Sequence, residues 1–208
     1  MNQKVGNFPG VTVDKKTGFT TLNNGEKVKV VDLPGTYSIY AKSSDEQVVT
    51  DILLDPENKN YPDVLVVIAD ASNLKRNLLL FSQVIDLGIP TVLALNMVDL
   101  ADRMGKGVVR RNIEKEYKLP VVKVNARRGE GIYELKEVLS HSINKPERAF
   151  LDVIELVGAN LRSKLDRSKQ PPYIKLHQLI RDKEISETEA QAIQTKDART
   201  QNYHLEHS

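Results

Sequence analysis

A chain of 208 residues, 40% hydrophobic and 28% charged, is long enough for one medium-sized domain and a small appendage, with the composition of a soluble globular protein. A net charge of +2 without any long basic run argues against nucleic acid as a partner. Zero cysteines exclude a disulfide scaffold and a thiolate metal site and fit a reducing compartment. The four histidines lack metal-ligand spacing, and no stretch approaches the ~18 apolar residues of a membrane span.

Residues 1–14 contain Gly6, Pro9 and Gly10 and no periodicity, so they read as a functional loop rather than a core element. Its Phe8 is either a partner-contacting aromatic or simply a solvent-exposed one. Residues 15–23 and 27–33 follow as two strands joined through Asn24-Gly25, a strong hairpin signal, with Lys15, Lys16 and Lys29 suited to an edge. After Gly35 comes a polar loop, then a helix over about 45–54 capped by Ser43 or Ser44, with Asp45 and Glu46 at its positive end. The apolar runs Val64–Ala69 and Ile89–Leu95 have strand length and the continuity of strands buried on both faces, as in parallel sheets. Helices are expected over about 73–87, 108–117 and 132–143, with a short strand at Pro120–Val124.

Alternating strands and helices of this kind predict a doubly wound α/β sheet that is mostly parallel, with the opening hairpin as one antiparallel edge. From residue 150 on there are only helical patterns, over 150–165, 173–182 and 186–199. The domain boundary is therefore set at residue 146, with a small all-α appendage and tail over 147–208.

Four stretches fall in the opening loop or at strand ends, where open α/β sheets bind ligands. Gly10-Val11-Thr12 offers a hydroxyl to Mg²⁺ and a backbone N–H to a phosphate. Asp32-Leu33-Pro34-Gly35 sets a carboxylate that can hold hydrated Mg²⁺ beside a backbone that can approach a phosphate closely. Asn96-Met97-Val98-Asp99 presents the two oxygens of Asp99 to two adjacent donors on one ring edge, as guanine offers and adenine does not, while Asn96 ties loops together. In Val124-Asn125-Ala126-Arg127, the N–H of Ala126 can meet guanine O6. Each signal alone is weak. Asp-x-x-Gly is also an ordinary strand-to-loop turn, Asn-x-x-Asp is also a helix cap, and Thr12 is also a plain loop threonine.

In this order and at these strand ends, the four stretches resemble the switch I, switch II and guanine-specificity motifs of a Ras-like GTPase. The wording goes further. Val5–Val13, Asp32–Ser38, Asn73–Leu78, Leu87-Gly-Ile-Pro90 and Ala94–Asp99 are similar to the G domain of FeoB-type ferrous iron transporters, across about residues 2–145. Met97, in place of the lysine of most GTPases, is usual in that family.

The resemblance implies GTP/GDP and Mg²⁺ as ligands, with Thr12 and Asp32 on the metal and Thr12 and Gly35 serving catalysis. Gly10, Val11, Thr12, Asp32, Gly35, Asn96, Met97, Asp99, Asn125, Ala126 and Arg127 would line the nucleotide site. It further implies GTP hydrolysis coupled to Fe²⁺ uptake, with a transmembrane iron-permeation part as partner at the cytoplasmic face of a bacterial inner membrane. Loss of the γ-phosphate would release residues 5–14 and 36–46. One departure is large. A first strand followed by Gly-x-x-x-x-Gly-Lys-Ser/Thr does not occur in the sequence, and in the family it precedes the equivalent of Asn2 directly. The K⁺ response of some members depends on that same segment and is not carried over. The rival expectation is a nucleotide-incompetent module that self-associates through its incomplete sheet.

Overall fold

The computed structural model describes residues 4–7, 14–39, 41, 43–107, 110–143, 157–167, 171–182, 184–186, 188–189 and 192–193. Lys4–Asn7 (β1), Asp14–Thr21 (β2) and Lys27–Asp32 (β3) form an antiparallel sheet in the order β1-β2-β3. At the β2–β3 turn Gly25 takes φ +87°, a left-handed conformation that costs glycine nothing, and Leu22 N–H donates to Glu26 O at 2.8 Å. Strand β1 corrects the reading of residues 1–14 as all loop: Lys4–Asn7 pairs with Asp14–Thr17, because β2 supplies an edge against which even an aperiodic stretch can bond. Residues 8–13, with the predicted site residues Gly10, Val11 and Thr12, lie outside the described residues.

Ser43 caps α1 (Ser44–Leu53) by accepting from the N–H of Glu46, and Asp45 and Glu46 occupy the first turn as expected. A second sheet, wholly parallel, follows: Leu65–Asp70 (β4), Thr91–Asn96 (β5) and Val121–Lys123 (β6), in the order β4-β5-β6. Its crossovers are α2 (Leu74–Ile85), then α3 (Val98–Arg103) with α4 (Arg110–Tyr117); α5 (Ile132–Ser142) follows β6. Strand β3 is not a hydrogen-bonded neighbour of β4, so the antiparallel strands make a sheet of their own rather than the rim of the parallel one.

Burial within the parallel sheet follows position. Residues Thr91–Leu95 of central β5 are all buried, whereas edge strand β4 buries Val67 and Ala69 and leaves Ile68 68% exposed. This corrects the expectation that Val64–Ala69 is covered on both faces. Helix α5 lays Leu135, Val138 and Leu139 over Val92, Ala94, Val122 and Val124, with Val64 and Val66 at the margin of that layer. Ile68, two residues after Val66 and so on the same face, is not part of that layer.

The other face packs against α1 and α2, with Ile39, Ile52, Leu53, Phe81 and Ile85 at its centre. Helices α6 (Ala159–Asp166) and α7 (Pro172–Arg181) contribute Leu161, Leu165, Tyr173, Ile174, Leu176 and Leu179 to this same core. A Cβ placed on Gly88, after α2, would lie 3.4 Å from Pro171 Cγ. No helix among the described residues is long and apolar enough to cross a membrane.

Candidate functional site

Parallel pairing brings the C-terminal ends of β4, β5 and β6 to one edge. Asp70 is in register with Asn96, and Leu95 with Lys123. Asp70 turns its carboxylate into the loop it begins, accepting from Ser72 N–H at 2.8 Å and from the Ser72 hydroxyl at 2.7 Å. Lys106, in the loop after α3, reaches back to the Ser72 carbonyl at 3.0 Å.

Asn96 joins the two loops flanking it: its Oδ1 accepts from the backbone N–H of Ala126 at 3.3 Å. Asn125 shapes the second loop, its backbone N–H donating to Glu130 O at 3.0 Å while its Oδ1 accepts from Arg128 N–H at 3.2 Å. Arg127 is exposed in the turn so formed. Gly131 closes this turn at φ +77°, and any Cβ there would overlap the Lys123 carbonyl, so the close approach of loop and strand depends on glycine.

Met97 turns the chain from β5 into α3 with φ 57°, uncommon for a residue with a side chain, and its side chain is half exposed. That bend sets Asp99 in the first turn of α3, exposed, where Arg103 one turn later pairs with it at 3.0 Å. With both side chains more than half exposed, the pair is worth little, about 0–1 kcal/mol, and leaves the carboxylate available. The residues predicted to form the base side, Asn96, Met97, Asp99, Asn125 and Ala126, thus lie at the end of β5, in the turn into α3, in its first turn and in the loop after β6, at one sheet edge. The N–H of Ala126 is engaged by Asn96, so a base oxygen there would share it or displace it.

Asp32 ends β3 and is exposed; Gly35 follows in open loop, where a Cβ would meet nothing within 4 Å. Among the described residues no hydrogen bond joins Asp32 or Gly35 to the base-side group, in keeping with the break between the sheets. The described residues also hold no cluster of three or more His, Asp or Glu side chains able to enclose a metal ion. A lone carboxylate at a strand end suits Mg²⁺, which keeps waters and takes most other ligands from bound phosphates, and does not suit a cation held by protein alone. Sequence reasoning missed Gln83, a buried α2 side chain whose Oε1 holds Ser38 and Ile39 downstream of Gly35.

A parallel sheet wrapped by helices, with Asn-x-x-Asp and an Asn-Ala loop at its strand ends and Asp-x-x-Gly closing β3 of the antiparallel sheet, defines the Ras-like G-domain class. Known proteins agree. The family profile described as ferrous iron transport protein B matches residues 1–139. The Fe(2+) transporter FeoB of Leptospira biflexa is 40% identical over 140 residues, 67% of this chain and 20% of that protein. The Fe(2+) transporter FeoB of Salmonella typhimurium is 40% identical over 161 residues, 74% of this chain and 19% of that protein. Among solved structures, the cytosolic domain of the T. maritima FeoB iron transporter in its GMPPNP form superposes with a TM-score of 0.81 at 29% identity, covering 99% of this chain and 87% of that one. The cytosolic domain of L. pneumophila FeoB gives 0.76 at 28% identity, covering 98% and 88%. The chain belongs to the FeoB ferrous iron transport family and corresponds to its G domain. It spans about a fifth of the length of the curated relatives it matches.

Proposed function

We propose that this chain is the guanine-nucleotide-responsive part of a ferrous iron transporter, reporting nucleotide state to a membrane-embedded permeation part. The observation that carries this is the base-side arrangement. Asp99 opens α3 immediately after β5, and the bond from Ala126 N–H to Asn96 Oδ1 holds the second loop beside it. Asp99 would accept from guanine N1–H and the exocyclic amine, Ala126 would donate to O6, and the stem of Met97 would lie along the base. Asn125 and Arg127 complete that wall.

On the phosphate side, Asp32 and Thr12 would hold Mg²⁺, which when bound offsets phosphate charge. The backbone of Gly10, Val11, Thr12 and Gly35 would face the phosphate oxygens. Position 36 is Thr36, not a glutamine able to orient water, and the sequence lacks the lysine-bearing phosphate loop. Binding is therefore expected to be guanine-selective but weak, and hydrolysis slow. Titration calorimetry of the 208-residue chain with Mg²⁺–GDP and Mg²⁺–ATP tests this reading. Heat with GDP alone, lost in Asp99→Asn, supports it; equal affinity for both nucleotides, or undiminished GDP binding by Asp99→Asn, overturns it.

A second reading, pairing with another copy of the chain, is favoured by the edge of β4 that no described strand covers and by the 68% exposure of Ile68 upon it. Sedimentation velocity across a concentration series tests it: a monomer at every concentration would dismiss self-association.

A further inference from the structure

Gln83 is 1% exposed in the third turn of α2, between Phe81 and Ile85. A carboxamide buried this deeply is costly unless it is bonded. Its Oε1 accepts from the Ser38 hydroxyl at 2.9 Å and from the Ile39 backbone N–H at 3.1 Å. A backbone N–H can only donate, so the atom it meets must be the carbonyl oxygen, which fixes how the amide is turned. Ile39 is itself 1% exposed, and its own carbonyl accepts from the Thr50 hydroxyl of α1 at 2.9 Å. Both backbone polar groups of Ile39 are thus held by side chains from two different helices. Upstream the hold is looser: Asp32, Gly35 and Tyr37 are exposed and Gly35 faces open space, while Leu33 is only partly buried against the core and Thr36 bonds the Ser38 carbonyl at 2.6 Å.

We propose that Gln83 is the positioning residue that ends the nucleotide-responsive part of the Asp-x-x-Gly segment, pinning the chain at Ser38-Ile39 so that only Pro34–Tyr37, between the core contact of Leu33 and that pin, follows the phosphate. This rests on the reading of Gly35 as a phosphate contact and narrows the sequence expectation that all of residues 36–46 is released. A pull on Gly35 travels as far as Ser38 and is then borne by α2 and α1, which hold the two backbone polar groups of Ile39.

The test is amide hydrogen exchange on the 208-residue chain, with and without Mg²⁺–GDP. Gln83→Met keeps the length and removes the acceptor. It should raise exchange about tenfold in peptides carrying Ser38 and Ile39 and leave β4 and β5 unchanged. Gln83→Glu, which offers an acceptor oxygen in either protonation state, should restore protection. Ser38→Ala, a part-exposed change, should produce a smaller rise at the same place and decides the matter if Gln83→Met does not fold. Added nucleotide should alter exchange only over Pro34–Tyr37 in the wild type and extend to Ile39 in Gln83→Met. A rise spread equally over β4 and β5, or none at Ile39, overturns the proposal. If GDP changes exchange nowhere in any variant, the phosphate-contact reading fails, and the nucleotide-free contrast still decides whether Gln83 pins the segment.

Discussion

Two glycines show how differently one residue type can matter. Gly131 combines φ +77° with a Cβ position already taken by the Lys123 carbonyl, whereas Gly35 has neither a left-handed backbone nor any atom within 4 Å of a Cβ. Gly131→Ala should therefore destabilise the chain by about 2 kcal/mol or more, read as a fall in the urea midpoint at unchanged slope. Gly35→Ala should leave that midpoint in place, and any effect should appear in nucleotide response instead. The sequence pointed to Gly35 through its motif and offered no sign of the constraint at Gly131, because that constraint is a contact with a strand carbonyl. Gln83 was hidden for the same reason: it acts on residues 45 and 44 positions away in sequence. The positions of Asn96 and Asp99, at the end of β5 and in the turn that follows, were legible because strand-end motifs carry their spacing locally.

At the scale of elements, every predicted strand and helix of the α/β part is present among the described residues, since runs such as Thr91–Leu95 encode strand length directly. What the runs do not encode is neighbour count. Val64–Ala69 and Ile89–Leu95 look alike as sequence, yet among the described strands β5 is flanked on both sides and β4 on one, so Leu93 is 0% exposed and Ile68 68%. Short α3 also escaped notice, since six residues cannot display a helical period. The contrast in burial gives a paired prediction. Leu93→Ala should cost about 2–5 kcal/mol in chemical unfolding, and Ile68→Lys less than about 0.5 kcal/mol. If β4 pairs with a second copy, Ile68→Lys should also abolish the concentration dependence of the sedimentation coefficient.

At the scale of the whole molecule, the C-terminal helices bear on the α/β part through one shared core. Leu165 and Tyr173 are each 1% exposed and belong to the same apolar cluster as Phe81 and Leu93. Leu165→Ala should therefore lower the stability of the entire chain by about 2–5 kcal/mol, with circular dichroism and exchange of β5 amides reporting one coincident transition. A second lever on that core is His177, on α7, buried and packed against Tyr173 with the rings tilted and their centroids 5.0 Å apart. Burial pulls its pKa from the ordinary 6.5 down to about 4. Between those values the unfolded chain carries the proton and the folded chain does not, so stability rises with pH across the window. The contribution is fully present above about pH 6.5 and is lost as pH falls toward 4. Going from about pH 8 to about pH 5 should cost about 2 kcal/mol from this group alone. Urea titrations at the two pH values check the size of the drop, and His177→Gln, which cannot take up the proton, should remove most of it. A drop of the same size in His177→Gln would assign the acid sensitivity to other groups and leave the α7 interface indifferent to protons.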